Sequence, residues 1–96
     1  MKIILQPHLI IRLKQRLIPQ TYPSKIVSEA KNQYLDSLTN HKIAVKILKY
    51  NEKLRPMVVA YDIISSEIQI ITVYPTTEQE IKNRVLSERW IKYEKS

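Results

Sequence analysis

Residues 41–50 are HKIAVKILKY, and this stretch decides the fold because its apolar side chains alternate. Ile43, Val45 and Ile47 fall on one face, while the side chains between them include both lysines and apolar residues. A period of two is typical of a β-strand and does not fit a helix. We therefore predict a strand with one apolar face and one mixed face.

Two more strands are predicted C-terminal to this stretch. Residues 56–64 and 67–74 are rich in β-branched side chains, and Ser65 and Ser66 join them. Such runs separated by short turns are typical of consecutive antiparallel hairpins. Because the chain contains no glycine, we expect Asn51 and the two serines to form the turns.

Two helices are predicted before the strands. Residues 8–17 place Leu9, Leu13 and Leu17 at fourfold spacing and should form a helix that ends before Pro19. A second helix is expected over residues 24–34, and residues 36–40 should form a turn. The inner side chains of the second helix would be Ile26, Val27, Ala30 and Tyr34.

A third helix is predicted from residue 78 to residue 90. Thr77 and Glu80 match a capping box, in which a Thr oxygen and a Glu carboxylate satisfy free N–H groups of the first turn. The buried side chains of this helix would be Ile81, Val85, Leu86 and Trp90. The predicted fold is therefore α+β, with two N-terminal helices, a three-stranded antiparallel β-sheet and a C-terminal helix.

Composition limits the classes of function. The 96 residues suffice for one domain, residues 1–96, and contain no cysteine, no glycine and two histidines. A thiolate metal site and a glycine-rich phosphate loop are thereby excluded, and two histidines are too few for a typical zinc site. We therefore expect no metal and no cofactor. The apolar runs are too short for a signal peptide or a membrane span, so we expect a cytoplasmic protein.

The charge is concentrated in the first half of the chain. Lys and Arg number 16 against nine Asp and Glu, which gives a net charge of +7. Residues 1–49 hold nine basic and two acidic side chains, whereas residues 50–96 hold seven of each. This asymmetry predicts an anionic partner for the first half.

His8, Arg12 and Arg16 form the first candidate site. Fourfold spacing places the three side chains along one stripe of the first helix. An imidazole can move a proton near neutral pH, and each guanidinium can bind two phosphate oxygens. On spacing alone, the simpler interpretation is a basic face exposed to water.

The second candidate site is the end of the last strand and the helix after it. Thr72 and Tyr74 are one pleat apart, so their hydroxyls would share a face and could hold a phosphate or relay a proton. Arg84, Arg89 and Trp90 follow in the chain. Thr and Tyr are also ordinary strand residues, so a packing role fits them as well.

Lysines on the 41–50 strand have two possible roles. Lys42, Lys46 and Lys49 lie among tyrosines, and such surfaces attract nucleic-acid backbones. Lysines along an edge strand also prevent sheets from aggregating, and this role fits Lys49 better. His41 could transfer a proton, although a turn residue is the simpler interpretation. An open edge near Lys42 or Tyr50 would also let two copies pair as a homodimer.

Several motifs resemble a small bacterial and archaeal family of unknown function that is grouped with RelE/ParE and BrnT-like toxins. The resemblance covers roughly residues 7–92. The motifs are His8-x-x-x-Arg12-x-x-x-Arg16-x-Ile18-Pro19, the strands around Met57 to Asp62, Ile71-Thr72-Val73-Tyr74-Pro75, Ile81-Lys82-Asn83-Arg84 and Arg89-Trp90. It implies a RelE-like microbial RNase fold, an RNA substrate cleaved without metal by 2′-OH attack, and a cognate acidic antitoxin.

The resemblance also implies roles for individual residues. His8 matches a helix histidine of the family and would act as acid or base, with Arg12, Tyr74 and Arg84 around the same phosphate. The residues expected to bind RNA are Arg16, Lys46, Thr72, Arg89 and Trp90. The family frequently has a histidine where this chain has Tyr74, and a phenol with an ordinary pKa of about 10 suits acid chemistry better than base chemistry.

This toxin-like endoribonuclease is the first hypothesis, and it requires the cations of the first helix and of the last strand-to-helix junction to converge on one anion-sized spot. Two alternatives remain open. One is a non-catalytic RNA-binding or ribosome-associated protein that uses the same basic surface. The other is an interaction protein whose positive half binds an acidic partner, such as an antitoxin segment.

Overall fold

The computed structural model describes residues 1–93, which form six strands and three helices. In chain order these are β1 (Lys2–Ile4), α1 (Pro7–Gln15), α2 (Tyr22–Glu29), β2 (Asn32–Asp36), β3 (Lys42–Tyr50), β4 (Lys53–Ile64), β5 (Glu67–Pro75), α3 (Glu78–Leu86) and β6 (Trp90–Lys92). Over this range, no helix combines the length and the apolar character that crossing a membrane requires.

The strands form one mixed sheet in the order β1-β5-β4-β3-β2-β6. β3, β4 and β5 are an antiparallel meander, β2 and β6 extend it in antiparallel pairing, and β1 adds to β5 in parallel. β5 and β3 are each paired on one side over only part of their length. β1 pairs only with residues 67–69 of β5, and β2 pairs only with residues 42–45 of β3.

The α+β class is confirmed, but the predicted three-stranded antiparallel sheet is wrong. The sheet has six strands and one parallel pair. The segment predicted as the end of the second helix is β2, because α2 ends at Glu29 and Ala30 adopts an extended ψ of 128°. β1 and β6 have three residues each, which is too short to show a period in the sequence.

The sheet has a core on each face. The first face, defined by Leu13, Ile26 and Val59, is covered by α1 and α2. The second face, defined by Tyr34, Val58 and Trp90, has α3 packed on it through the half-buried Ile81. Successive strand residues point to opposite faces, so both sides of the central strands are buried.

The hairpin turns confirm the role predicted for asparagine and serine. Asn51 and Glu52 join β3 to β4 with φ of 53° and 63°, and Ser65 and Ser66 join β4 to β5 with φ of 50° and 64°. Two consecutive residues with left-handed backbone conformation form a type I′ turn, whose twist matches that of the paired strands. The hairpins form without glycine and fix the register of β3, β4 and β5.

The third helix is shorter than predicted. Thr77 caps its start, with Oγ1 accepting from the Glu80 N–H at 3.1 Å. The helix ends at Leu86, and Glu88 then adopts a left-handed φ of 62°. Trp90 is therefore buried from β6 and not from the helix. Val85 and Leu86, expected to be buried, are exposed.

Candidate functional site

The His8, Arg12 and Arg16 stripe is exposed along α1. Leu9 and Leu13 hold the helix on the first face, each with 2% of its surface exposed. The three polar side chains lie off that buried stripe and are exposed to solvent. Four residues of helix rise about 6 Å, so neighbouring members of the stripe are about that far apart along the axis.

α1 runs alongside β5. The Nε2 of Gln6 donates to Oε1 of Gln69 over 3.3 Å, and Nη1 of Arg16 donates to the carbonyl oxygen of Val73 over 3.1 Å. The contact of Arg16 lies beyond residue 69, where β1 no longer pairs with β5. Arg16 therefore binds a carbonyl in the stretch of β5 that no strand pairs on this side.

The β3–β4 hairpin continues the positive charge of α1. The Tyr50 hydroxyl donates to the carbonyl oxygen of Arg16 over 2.7 Å. Across the hairpin, Lys53 is opposite Tyr50, and Arg55 is opposite Leu48. These four side chains lie on the same face of the sheet. We name the following residues the basic surface: Arg12, Arg16, Lys53 and Arg55.

The basic surface is poor in acidic neighbours. Residues 1–28 contain no Asp or Glu. Within the described part of the chain, none of the ion pairs involves a residue of the basic surface. Unpaired cations attract a polyanion more strongly than paired ones, because no fixed carboxylate competes for them.

On the second face, Tyr74, Arg84, Arg89 and Trp90 come together. The Arg84 guanidinium lies 5.6 Å from the centre of the Trp90 ring, a cation–π distance. The Nε of Arg89 donates to Oδ1 of Asp36 over 2.7 Å. Tyr74 packs against the same apolar cluster as Trp90. Thr72 is opposite Ala60 on the same face.

Burial and neighbouring charges shift the pKa values of Asp36 and Tyr74. Burial tends to raise the pKa of Asp36, but hydrogen bonds from Arg89 and from the N–H groups of Leu38 and Thr39 outweigh it and lower the pKa to about 2. Burial raises the pKa of Tyr74, with Arg84 opposing this effect. Asp36 is therefore ionised and Tyr74 is protonated at neutral pH.

His41 and Asp62 form a pair in the adjacent row of the second face. The His41 Nδ1 lies 2.8 Å from Oδ1 of Asp62, and the two side chains are 29% and 31% exposed. The last pair of the β3–β4 register is Lys42 opposite Tyr61, and His41 and Asp62 are the next residues beyond it, two positions from Ile43 and Ala60. Next to it, the Asp36 N–H donates to the carbonyl oxygen of His41 over 2.9 Å.

The structure thus divides the predicted site residues into two groups. The second face holds Tyr74, Thr72, Arg84, Arg89 and Trp90. His8 and Arg12 lie on α1, which covers the first face, and Arg16 is the residue that follows this helix. The single anion-sized spot required by the first hypothesis is not formed. Lys46 lies on the first face, opposite Met57, where its Nζ is 3.5 Å from Oε1 of Glu29 at the end of α2.

Sequence reasoning missed the partner of His41 and the contribution of the hairpin to the basic surface. A two-residue turn at Asn51 and Glu52 pairs Tyr50 with Lys53, and counting outward from that turn pairs the positions of His41 and Asp62. The signal was therefore present in the spacing. It could be used only once the turn was placed at these two residues.

None of the protein-family models, curated proteins and solved structures compared with this chain matches it.

Proposed function

We propose that this chain is a toxin-like RNA-binding protein and that the basic surface receives the RNA backbone. The contact that carries the proposal is the Arg16 bond to Val73, because it fixes the exposed cations of α1 along the open stretch of β5. The resemblance to RelE/ParE and BrnT-like toxins favours RNA as the polyanion. The net charge of +7 has the same sign as the surface.

Phosphates suit this surface chemically. Side chains of Lys and Arg neutralise phosphates and release counterions, so affinity falls as salt rises. Guanidinium groups bind two phosphate oxygens at once. The spacing of about 6 Å along the stripe lets Arg12 and Arg16 bind separate phosphates of one strand.

The test is fluorescence anisotropy with a labelled single-stranded RNA of 20 nucleotides. The double variant Arg12→Ala/Arg16→Ala should weaken binding at least tenfold, because two phosphate contacts are lost. Lys82→Ala removes one exposed cation from α3 and should change affinity less than twofold. Equal losses in both variants would show general charge attraction only and would contradict a localised interface.

Metal-independent cleavage of the bound RNA is the second candidate function. The grouping of Tyr74, Arg84 and Arg89 on the second face favours it, since cleavage by 2′-OH attack needs a proton donor and cations for the charged phosphorane. β5 is the edge strand between residues 70 and 75, so an RNA crossing this edge would pass from the basic surface to the second face.

The cleavage test compares an all-ribose strand with a strand of the same sequence that carries 2′-deoxyribose throughout. Cleavage of the ribose strand in EDTA, with no cleavage of the deoxy strand, is the expected result. Cleavage of both strands would contradict 2′-OH attack. RNA binding with no product would leave the binding function standing alone.

A further inference from the structure

A carboxylate holds His41 in one tautomer. An ionised carboxylate only accepts hydrogen bonds, so the contact of 2.8 Å between the His41 Nδ1 and Oδ1 of Asp62 favours the tautomer with the hydrogen on Nδ1. The second ring nitrogen, Nε2, then has a free lone pair. No residue in the range 1–93 hydrogen-bonds Nε2, and about 29% of the side chain is exposed. A fixed ring with one free, solvent-accessible nitrogen is suited to accepting a proton.

The pair borders a floor of small and apolar side chains. Ile43 and Ala60 occupy the next row of the second face and are buried, and Thr72 is opposite Ala60. Because Ile43 and Ala60 are buried while His41 and Asp62 are partly exposed, the pair lies where this buried row meets solvent.

Two cations lie near Tyr74 and Asp36 on the same face of the sheet. Arg84 is held over Trp90, and Arg89 uses only Nε for Asp36, which leaves its two terminal nitrogens for another acceptor. The acidic groups nearby are Asp36, Asp62 and Glu80. Arg89 is paired with Asp36, and His41 is paired with Asp62. A phosphate would therefore be bound chiefly by Arg84 and by the free nitrogens of Arg89.

We infer that His41 is the general base of the proposed RNA cleavage and that Asp62 positions it. The inference rests on the second candidate function and names its centre on the second face instead of at His8. The evidence for it is the His41–Asp62 contact and its place beside Asp36 and Arg89.

The step balances without a metal or a redox partner. Nε2 of His41 takes the proton of a ribose 2′-OH while O2′ forms a bond to the neighbouring phosphorus. The bond from phosphorus to O5′ breaks, and O5′ takes a proton from the Tyr74 phenol. Water then carries the proton of His41 back to Tyr74. The products are a 2′,3′-cyclic phosphate and a 5′-hydroxyl end.

The experiment measures single-turnover cleavage of the ribose strand and, by anisotropy, its binding. His41→Ala should lower the cleavage rate about 100-fold or more, in the range typical of general acid–base catalysis, with affinity changed less than threefold. Asp62→Asn should lower the rate less than His41→Ala does. Lys82→Ala should cleave at the wild-type rate.

Nitrogen-15 NMR of the imidazoles gives a readout that a merely structural role would not move. In the wild type at pH 8, the His41 Nδ1 should be protonated and Nε2 unprotonated, and Asp62→Asn should mix the two tautomers. The wild-type spectrum needs no variant to fold. A wild-type His41 protonated at Nε2 instead would overturn the inference.

Three kinetic outcomes would also overturn it. Wild-type cleavage by His41→Ala would remove His41 as base and leave the endoribonuclease function intact. A larger loss in His8→Ala than in His41→Ala would return the centre to α1. RNA binding by the wild type with no cleavage would refute the base and the cleavage function together, but not the RNA-binding function.

Discussion

Arg89 donates its Nε–H to Oδ1 of Asp36 over 2.7 Å and so joins the end of β2 to the segment that leads into β6. The Ser37 N–H reinforces this junction by donating to the carbonyl oxygen of Arg89 over 2.8 Å. The same Oδ1 of Asp36 also accepts from the N–H groups of Leu38 and Thr39. One buried carboxylate therefore organises the 37–40 turn and anchors the last strand.

The ion pair predicts how stability depends on acid. The pKa of Asp36 is lowered from 3.8 to about 2 in the folded chain. Its stabilisation is therefore complete above the unfolded pKa and is lost as pH falls toward 2. Asp36→Asn should lower the free energy of unfolding at pH 7 by on the order of 1 kcal/mol, because Arg89 is partly exposed and screened.

Urea denaturation at several pH values between 7 and 2 checks this prediction. The loss of stability below pH 5 should be smaller in Asp36→Asn than in the wild type. Glu88→Gln, which removes an exposed acid from the same junction, is the matched control and should keep the wild-type acid dependence. Parallel curves for Asp36→Asn and the wild type would show that the pair contributes nothing.

The glycine-free turns predict a stabilising substitution. Glu52 has a φ of 63° in the β3–β4 turn, a conformation that costs a residue with a Cβ about 1 kcal/mol or more. Glu52→Gly removes that cost but gains entropy in the unfolded chain, so the net gain should be about 0.5–1 kcal/mol. Urea denaturation measures it. Glu52→Ala keeps the Cβ and should give no such gain, and equal effects of the two substitutions would contradict the explanation.

α3 should be the least stable helix of the fold. It has no fully buried residue, and its main contacts are the half-buried Ile81 and the Arg84 cation–π contact. Local opening needs less free energy where little apolar surface is buried. Amide hydrogen exchange in α3 should be at least tenfold faster than in β4, and Ile81→Ala should accelerate it further without affecting β4. Equal protection of α3 and β4 in the wild type would refute this.

The long alternating runs made the centre of the sheet predictable. β3, β4 and β5 have nine or more residues each, so their apolar periods identify them and the turns between them. β2 has only five residues, and Tyr34 suited the inner side of a helix as well as a strand. Its pairing with β3 and β6 decides the outcome, and that information is tertiary.

The candidate site was predictable in its residue types but not in its geometry. The period of α1 identifies His8, Arg12 and Arg16 as one stripe, but it does not say which face of the sheet the helix covers. Likewise, spacing alone cannot show that α3 ends at Leu86, that the left-handed Glu88 follows it, and that Trp90 begins a strand. The division of the site into two faces follows from these two tertiary facts.

An NMR titration of the labelled protein with a short single-stranded RNA tests the central claim most directly. We expect the largest amide shifts in residues 8–17, in residues 70–75 of β5 and around Lys53 and Arg55. The matched titration of Arg12→Ala/Arg16→Ala should need at least tenfold more RNA for the same shifts. Shifts confined to α3 and β6, or no shifts at low salt, would contradict RNA binding at the basic surface.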